Sequence, residues 1–260
     1  MKFSLKTLAA AVALVAVAGT ASAAIDNGAG GNGGLFFNAW DGQTSYNYDM
    51  AMSIDAYEAN LAAAGNQNLI WGSDFNSSFT SWLATANTTT LQWSILATDT
   101  VAQRRILTTV GAAVLPATNS NSDVLRTGAG NIQTYLNNVN PILTGNFAVT
   151  TSNTADSYTG KLIGDKINNK FNFDTSGSFA NNSYDNGVVF QKTLAAASGI
   201  TKGTNNAYDD GGVAVRSWVD AAGLHIAAVQ AVPEPSEYAM LLAGLGLIGA
   251  VARRRSQKQA

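Results

Sequence analysis

The chain has 260 residues, with 15 Lys and Arg, 17 Asp and Glu, one His and no Cys, for a formal net charge of −2. The missing cysteines exclude disulfides and thiolate metal ligands, and the missing basic excess excludes a nucleic-acid footprint. The length supports one domain, or two small ones, with an ordinary apolar core.

In chain order, residues 1–7 carry Lys2 and Lys6 and no acid. Residues 8–18 are an unbroken apolar run, followed by Gly-Thr-Ala-Ser-Ala-Ala. This is the pattern of a secretory signal peptide over residues 1–23, with Ala21 and Ala23 as the small residues before the cut and Ala24 near the mature start. An apolar helix of that length rises roughly 16 Å, about half a bilayer core, so a permanent span is not predicted there. The partners implied are a Sec-type export machinery and a signal peptidase.

Residues 24–34 form a Gly-rich lead-in without the alternating Asp of calcium-binding repeats. A first strand is expected over 35–41 and a partner over 44–52. Ser53 can cap a short helix that places Ile54, Tyr57 and Leu61 on one face and stops at Gly65. Phe79, Trp82 and Leu83 indicate another brief helix. In TTTLQWSILATDT, Leu91, Trp93, Ile95 and Ala97 alternate with mostly polar residues, the clearest strand signal in the chain, and RRILTTVGAAV can return beside it. Ile132, Tyr135, Leu136 and Val139 repeat at helical spacing and stop before Pro141. Further strands are expected over 147–151, 162–167, 171–174 and 188–192, then a hairpin of 213–219 and 224–229 turned at Asp-Ala-Ala-Gly. The fold class predicted is mainly β: an antiparallel β-sandwich over 35–231 with two or three short helices, the alternative being α+β.

Within that body, NNSYDNGVVF at 181–190 echoes NNAYDDGGVAV at 205–215. A tight turn launching a strand explains both copies, because Asp-Asn-Gly and Asp-Asp-Gly accept positive φ. The functional alternative is calcium held by Asp185, Asp209 and Asp210, whose oxygens suit a hard cation. His225 is the lone histidine and sits in an expected strand, as a surface or structurally bonded residue. With no Gly-x-Ser-x-Gly elbow, zinc spacing or phosphate loop, no catalytic set is assembled in the sequence. A secreted polysaccharide hydrolase using an Asp pair stays open, since such chemistry needs only two carboxylates. Of the five tryptophans, Trp40 and Trp71 are the ones expected to be exposed and able to stack on sugar faces.

The chain closes with Val232-Pro233-Glu234-Pro235, an uncharged stretch at 238–252 and the cluster Arg253, Arg254 and Arg255. The prolines mark an exposed extended break, the apolar stretch reads as a transmembrane helix of roughly 22 Å, and the arginines hold its far end in the cytoplasm. This order, with Leu241, Leu242, Gly244, Leu245, Gly246 and Leu247 between motif and arginines, resembles the PEP-CTERM sorting signal of exported bacterial proteins, here over 232–257. The resemblance implies an exosortase as partner, removal of the tail near Pro-Glu-Pro, a destination at the cell surface or beyond, and an association with extracellular polysaccharide. It implies nothing about the body, and an uncleaved anchor would give the same topology.

Setting aside the two ends leaves nine cations against fifteen acids in residues 24–232, a net charge of −6, and Glu58 is the only Glu among them. Together with the abundant Asn, Thr, Ser and Gly, this describes an extracytoplasmic module without cofactor or nucleic-acid partner. The function expected is a non-enzymatic surface or matrix protein.

Overall fold

The computed structural model describes residues 15–16, 24–64, 68–101, 104–111, 120–171 and 173–229. The expected signal cleavage residues Ala21 and Ala23, the helix stop Gly65, the span 238–252, the Pro-Glu-Pro motif and the arginine cluster lie outside them.

The strands in chain order are β1 (Val15–Ala16), β2 (Gly34–Trp40), β3 (Ser45–Ser53), β4 (Asn68–Trp71), β5 (Gln92–Thr98), β6 (Arg105–Val110) and β7 (Phe147–Thr150). They continue as β8 (Gly177–Ser178), β9 (Val188–Leu194), β10 (Thr204–Ala207), β11 (Asp209–Asp210), β12 (Val213–Ala214), β13 (Arg216–Asp220) and β14 (Gly223–Ala227). The helices are α1 (Ile54–Ala64), α2 (Ser73–Leu83) and α3 (Ser122–Val139), then two single turns, α4 (Thr159–Lys161) and α5 (Asn169–Phe171), on either side of a π-helical run Leu162–Asn168.

The mainly β, antiparallel architecture is the one the chain adopts. Its strands join in one curled sheet, ordered β4-β14-β13-β9-β6-β5-β2-β3-β7, with every pairing along that path antiparallel. β1 lies parallel against β4, β8 pairs with β5, β10 pairs with β9, and β11 with β12 forms a separate hairpin. The strand read from the sequence over 162–167 is helical instead, and of the one read over 171–174 Phe171 ends α5 while Phe173 and Asp174 lie outside any strand. Leu162, Ile163 and Ile167 are all buried on the side of the run that faces α3, an arrangement a helical turn provides and strand alternation does not. Among the described residues no helix is long and apolar enough to cross a membrane.

Strand alternation divides the core in two. On one face Phe37, Tyr46, Trp93, Ile95, Phe190 and Leu224 pack against Ile54 and Tyr57 of α1 and Phe75, Phe79 and Trp82 of α2. Phe37 meets Phe75 and Phe79 edge-on, with centroids 5.1 and 5.4 Å away, and stacks on Trp93 at 5.8 Å. On the opposite face Phe36, Trp40, Leu96 and Ile106 pack against Leu125, Ile132, Leu136 and Val139 of α3 and Ile163, Ile167 and Phe171 beyond it. Burial of each such side chain stabilises by about 1.5–3 kcal/mol.

The second face also buries polar groups, and hydrogen bonds satisfy many of them. Ser94 Oγ donates to Asn38 Oδ1 at 2.8 Å. Tyr135 Oη donates to Asn47 Oδ1 at 2.7 Å and lies 2.7 Å from Thr159 Oγ1, and the Thr159 amide donates to Ser45 Oγ at 3.2 Å. These bonds tie α3 and α4 to β3. Burial pushes the Tyr135 hydroxyl well above its ordinary range despite those partners.

Local capping follows the sequence. At the start of α1, the Ala56 amide donates to Ser53 Oγ at 3.3 Å and the Asp55 amide to Asn32 Oδ1 at 2.7 Å. In the middle of α3, Gly128 meets the ring of Phe171. A Cβ built there would lie within van der Waals overlap of Phe171 Cε1, whereas one on Gly130 meets nothing within 4 Å. Glycine normally costs a helix interior about 1 kcal/mol relative to alanine. Gly130→Ala should therefore raise stability by about that amount, whereas Gly128→Ala should lower it by about 1–3 kcal/mol through overpacking. Denaturant unfolding of the two variants measures the opposite signs.

Candidate functional site

Three clusters of polar side chains stand out in the body. The largest centres on Glu58, carried by α1 to the flank of the sheet. Its carboxylate accepts Lys192 Nζ at 2.7 Å, Tyr208 Oη at 2.8 Å and Arg105 Nη1 at 3.1 Å. Arg105 in turn meets Asp55 at 2.6 Å and Asp99 at 2.7 Å. Helix α1, strands β6 and β9, and the residue between β10 and β11 are thus joined by one carboxylate. Partial burial works to raise the Glu58 carboxyl, but the bonds from Lys192 and Tyr208 and the charges of Lys192 and Arg105 outweigh it and hold it below the usual range. Tyr208 moves the other way, pushed far above its ordinary value by burial and then by the adjacent carboxylate. An open groove of about 480 Å³ lies alongside, reaching Lys192, Tyr208, Asp209 and Asp210.

The second cluster sits on the β13–β14 hairpin. Trp218 and His225 are directly opposite each other in the register, and their rings stack at 4.5 Å and 6°. Asp220 receives Trp218 Nε1 at 3.0 Å and lies 2.9 Å from His225 Nε2. Burial opposes ionisation of Asp220, while the His225 contact, the Ala222 amide and Trp218 Nε1 favour it more strongly and lower its pKa. The lone histidine is therefore structurally bonded, as expected. The third cluster is Asp41, which accepts the amides of Gln43, Thr44 and Asn87 at 2.9, 2.6 and 2.9 Å. Those amides lower its pKa against the opposing effect of burial. All three carboxyls are held ionised, which suits charge stabilisation and ion pairing. Proton donation near neutral pH needs a carboxyl moved upward.

The residues singled out in the sequence are placed as follows. Trp40 and Trp71, expected at the surface, are 6% and 3% exposed. Trp40 packs in the α3-facing cluster, and Trp71 packs in the other with its indole N–H donating to the Met50 carbonyl at 2.9 Å. Neither ring presents a face to a sugar, because both sides of the sheet are covered. Asp209 and Asp210 form one side of the β11–β12 hairpin, whose Gly211 and Gly212 have φ of 63° and 88°. Asp209 Oδ1 accepts the Gly212 amide at 3.1 Å, which is the tight-turn role. Asp185 belongs to the other copy of the echo, and among the described residues no three acidic or histidine side chains are gathered to hold a metal. Glu58 stood out in the sequence only as the sole Glu of the body, and no role was read from it.

Compared with known proteins, residues 231–255 match the family described as the PEP-CTERM protein-sorting motif. No curated protein and no solved structure matches the chain. The C-terminal tail thus carries a sorting signal that marks an exported, exosortase-targeted protein.

The Glu58 cluster generates a pH-dependent expectation. Folding lowers the Glu58 pKa, so its stabilisation is complete above the unfolded value of about 4.3 and fades as pH falls through the lower folded value. Glu58→Gln should cost about 1–2 kcal/mol at neutral pH, a figure reduced for the quarter of the side chain that water reaches. The gap from wild type should close toward about pH 3. Denaturant midpoints across that range measure it, and a gap independent of pH contradicts the role of the ionised carboxylate.

Proposed function

We propose that the chain is exported by the Sec route, held in the membrane by its C-terminal tail with the body outside, and cut by an exosortase near Pro233-Glu234-Pro235. The body then works at the cell surface or in the extracellular matrix as a non-enzymatic protein associated with extracellular polysaccharide or other envelope components. The observation that carries this reading is the sorting motif over 231–255.

Two features of the body support it. The carboxyls of Asp41, Glu58 and Asp220 are lowered and engaged in turns or ion pairs, as in a scaffold. The buried cores on both faces of the sheet let a cysteine-free chain persist outside the cell without disulfides.

Intact mass of the protein recovered from the outside of producing cells tests the processing. A chain beginning near Ala24 and ending near the Pro-Glu-Pro motif is expected, and the double variant Pro233→Ala, Pro235→Ala should retain the tail. Recovery from the cytosol with both ends intact would overturn the proposal. For the surface role, the protein should be retained on polysaccharide isolated from the producing cells. No retention with or without calcium removes the polysaccharide and leaves an envelope protein.

A further inference from the structure

Residues 161–170 hold Lys161, Lys166 and Lys170, three of the nine cations in a body of net charge −6. The fold turns two of them toward one cavity. On an α-helix, residues five apart diverge by about 140°. The run Leu162–Asn168 is π-helical, and its i→i+5 repeat brings Lys161 and Lys166 to the same side. Both line a pocket of about 130 Å³ whose opposite wall is α3, with Asp156 in the lining beside Lys161. There Asn131, Thr134 and Asn138 share one helix face at i, i+3 and i+7, and Tyr135 and Leu162 close the floor.

The hydrogen-bonding capacity of the walls defines what can fill this pocket. Asn131 Nδ2 donates to the Lys166 carbonyl at 3.1 Å, which fixes the π-helical run to α3 and leaves Asn131 Oδ1 as an acceptor. Thr134 Oγ1 donates to the Gly130 carbonyl at 2.9 Å and Asn138 Nδ2 to the Thr134 carbonyl at 3.0 Å, so both keep acceptor oxygens. Lys161 is partly committed, with Nζ 3.2 Å from Asp156 Oδ1 and donating to the Thr154 carbonyl at 2.5 Å. Lys166 has no ion pair among the described residues and is exposed at the mouth. Asp156 offsets Lys161 within the lining, so Lys166 carries the uncompensated charge among the described residues, and the acids elsewhere in the body are screened over about 8 Å at physiological ionic strength.

We infer that this cavity is a binding site for a small hydroxylated anion, a sugar acid or sugar phosphate. The oxyanion would sit on Lys166, beside the Lys161–Asp156 pair, and the hydroxyls would donate to the oxygens of Asn131, Thr134 and Asn138. A bare inorganic anion would leave those acceptors unused, and a neutral sugar would leave Lys166 unanswered. The site stands on the cavity alone and is independent of where the protein is delivered.

Calorimetric titration of the full chain in detergent with glucuronate, glucose 6-phosphate and glucose tests it. At least one of the two anions should bind with a dissociation constant of about 1 mM or below, and which one binds identifies the oxyanion. Glucose should bind at least about tenfold more weakly. Lys166→Ala should weaken binding about tenfold, Lys166→Arg should restore most of it, and Lys170→Ala, outside the pocket, should change it less than about twofold. Absence of heat with both anions at about 10 mM overturns the site, as does equal binding of glucose or an equal loss in Lys170→Ala.

Discussion

Strand β2 is buried at every one of its seven positions, and the rest of the body follows from that. A strand in the middle of a sheet can be buried throughout only if both faces of the sheet are covered. Leu35, Phe37 and Ala39 face α1 and α2, while Phe36 and Trp40 face α3 and the helical run after it. Asn38 shares the second face and is tolerated because Ser94 bonds to it. A chain without cysteine has no other staple, so losing either cover would expose a broad apolar surface.

This double cover explains which parts of the fold were legible in the sequence. The strand from Gln92 to Thr98 was clear because Trp93, Ile95 and Ala97 alternate with mostly polar residues, Leu96 excepted. That alternation implied a wet outer face, yet Ser94 and Thr98 are buried, since small polar side chains can lie under a helix when bonded. The same lack of a solvent-facing side misled the reading of Trp40 and Trp71. Their neighbours Asp41 and Gly72 belong to turns, and the rings themselves point into the two cores.

The helical cover of the second face was harder to read. The first half of α3 contains Gly128 and Gly130, poor helix formers that hid it, and Gly128 is there because Phe171 needs the space. In the stretch Leu162–Asn168, Ile163 and Ile167 are at helical spacing and continue to Phe171, a signal that the strand reading passed over. β4, four residues long, is too short to announce itself by periodicity. The tail was the most legible segment, because a sorting signal is read as linear sequence and needs no fold around it. The body's clusters were the least legible, since Glu58 meets Arg105 and Lys192 across 47 and 134 residues.

The tail and the body therefore answer different questions, one about destination and the other about what a doubly covered sheet can present there. Helices on both faces leave grooves at the helix margins as the accessible concave surfaces, and the Glu58 groove and the lysine pocket beside α3 are both of this kind. The most direct measurement of the double cover is native-state hydrogen exchange on the intact chain. Amides of β2, β5 and β6 should exchange slowest and only through global unfolding, with those of the edge strand β7 opening earlier. Exchange of β2 as fast as that of β7 would mean that one face of the sheet is not covered, and the account of the fold would fail.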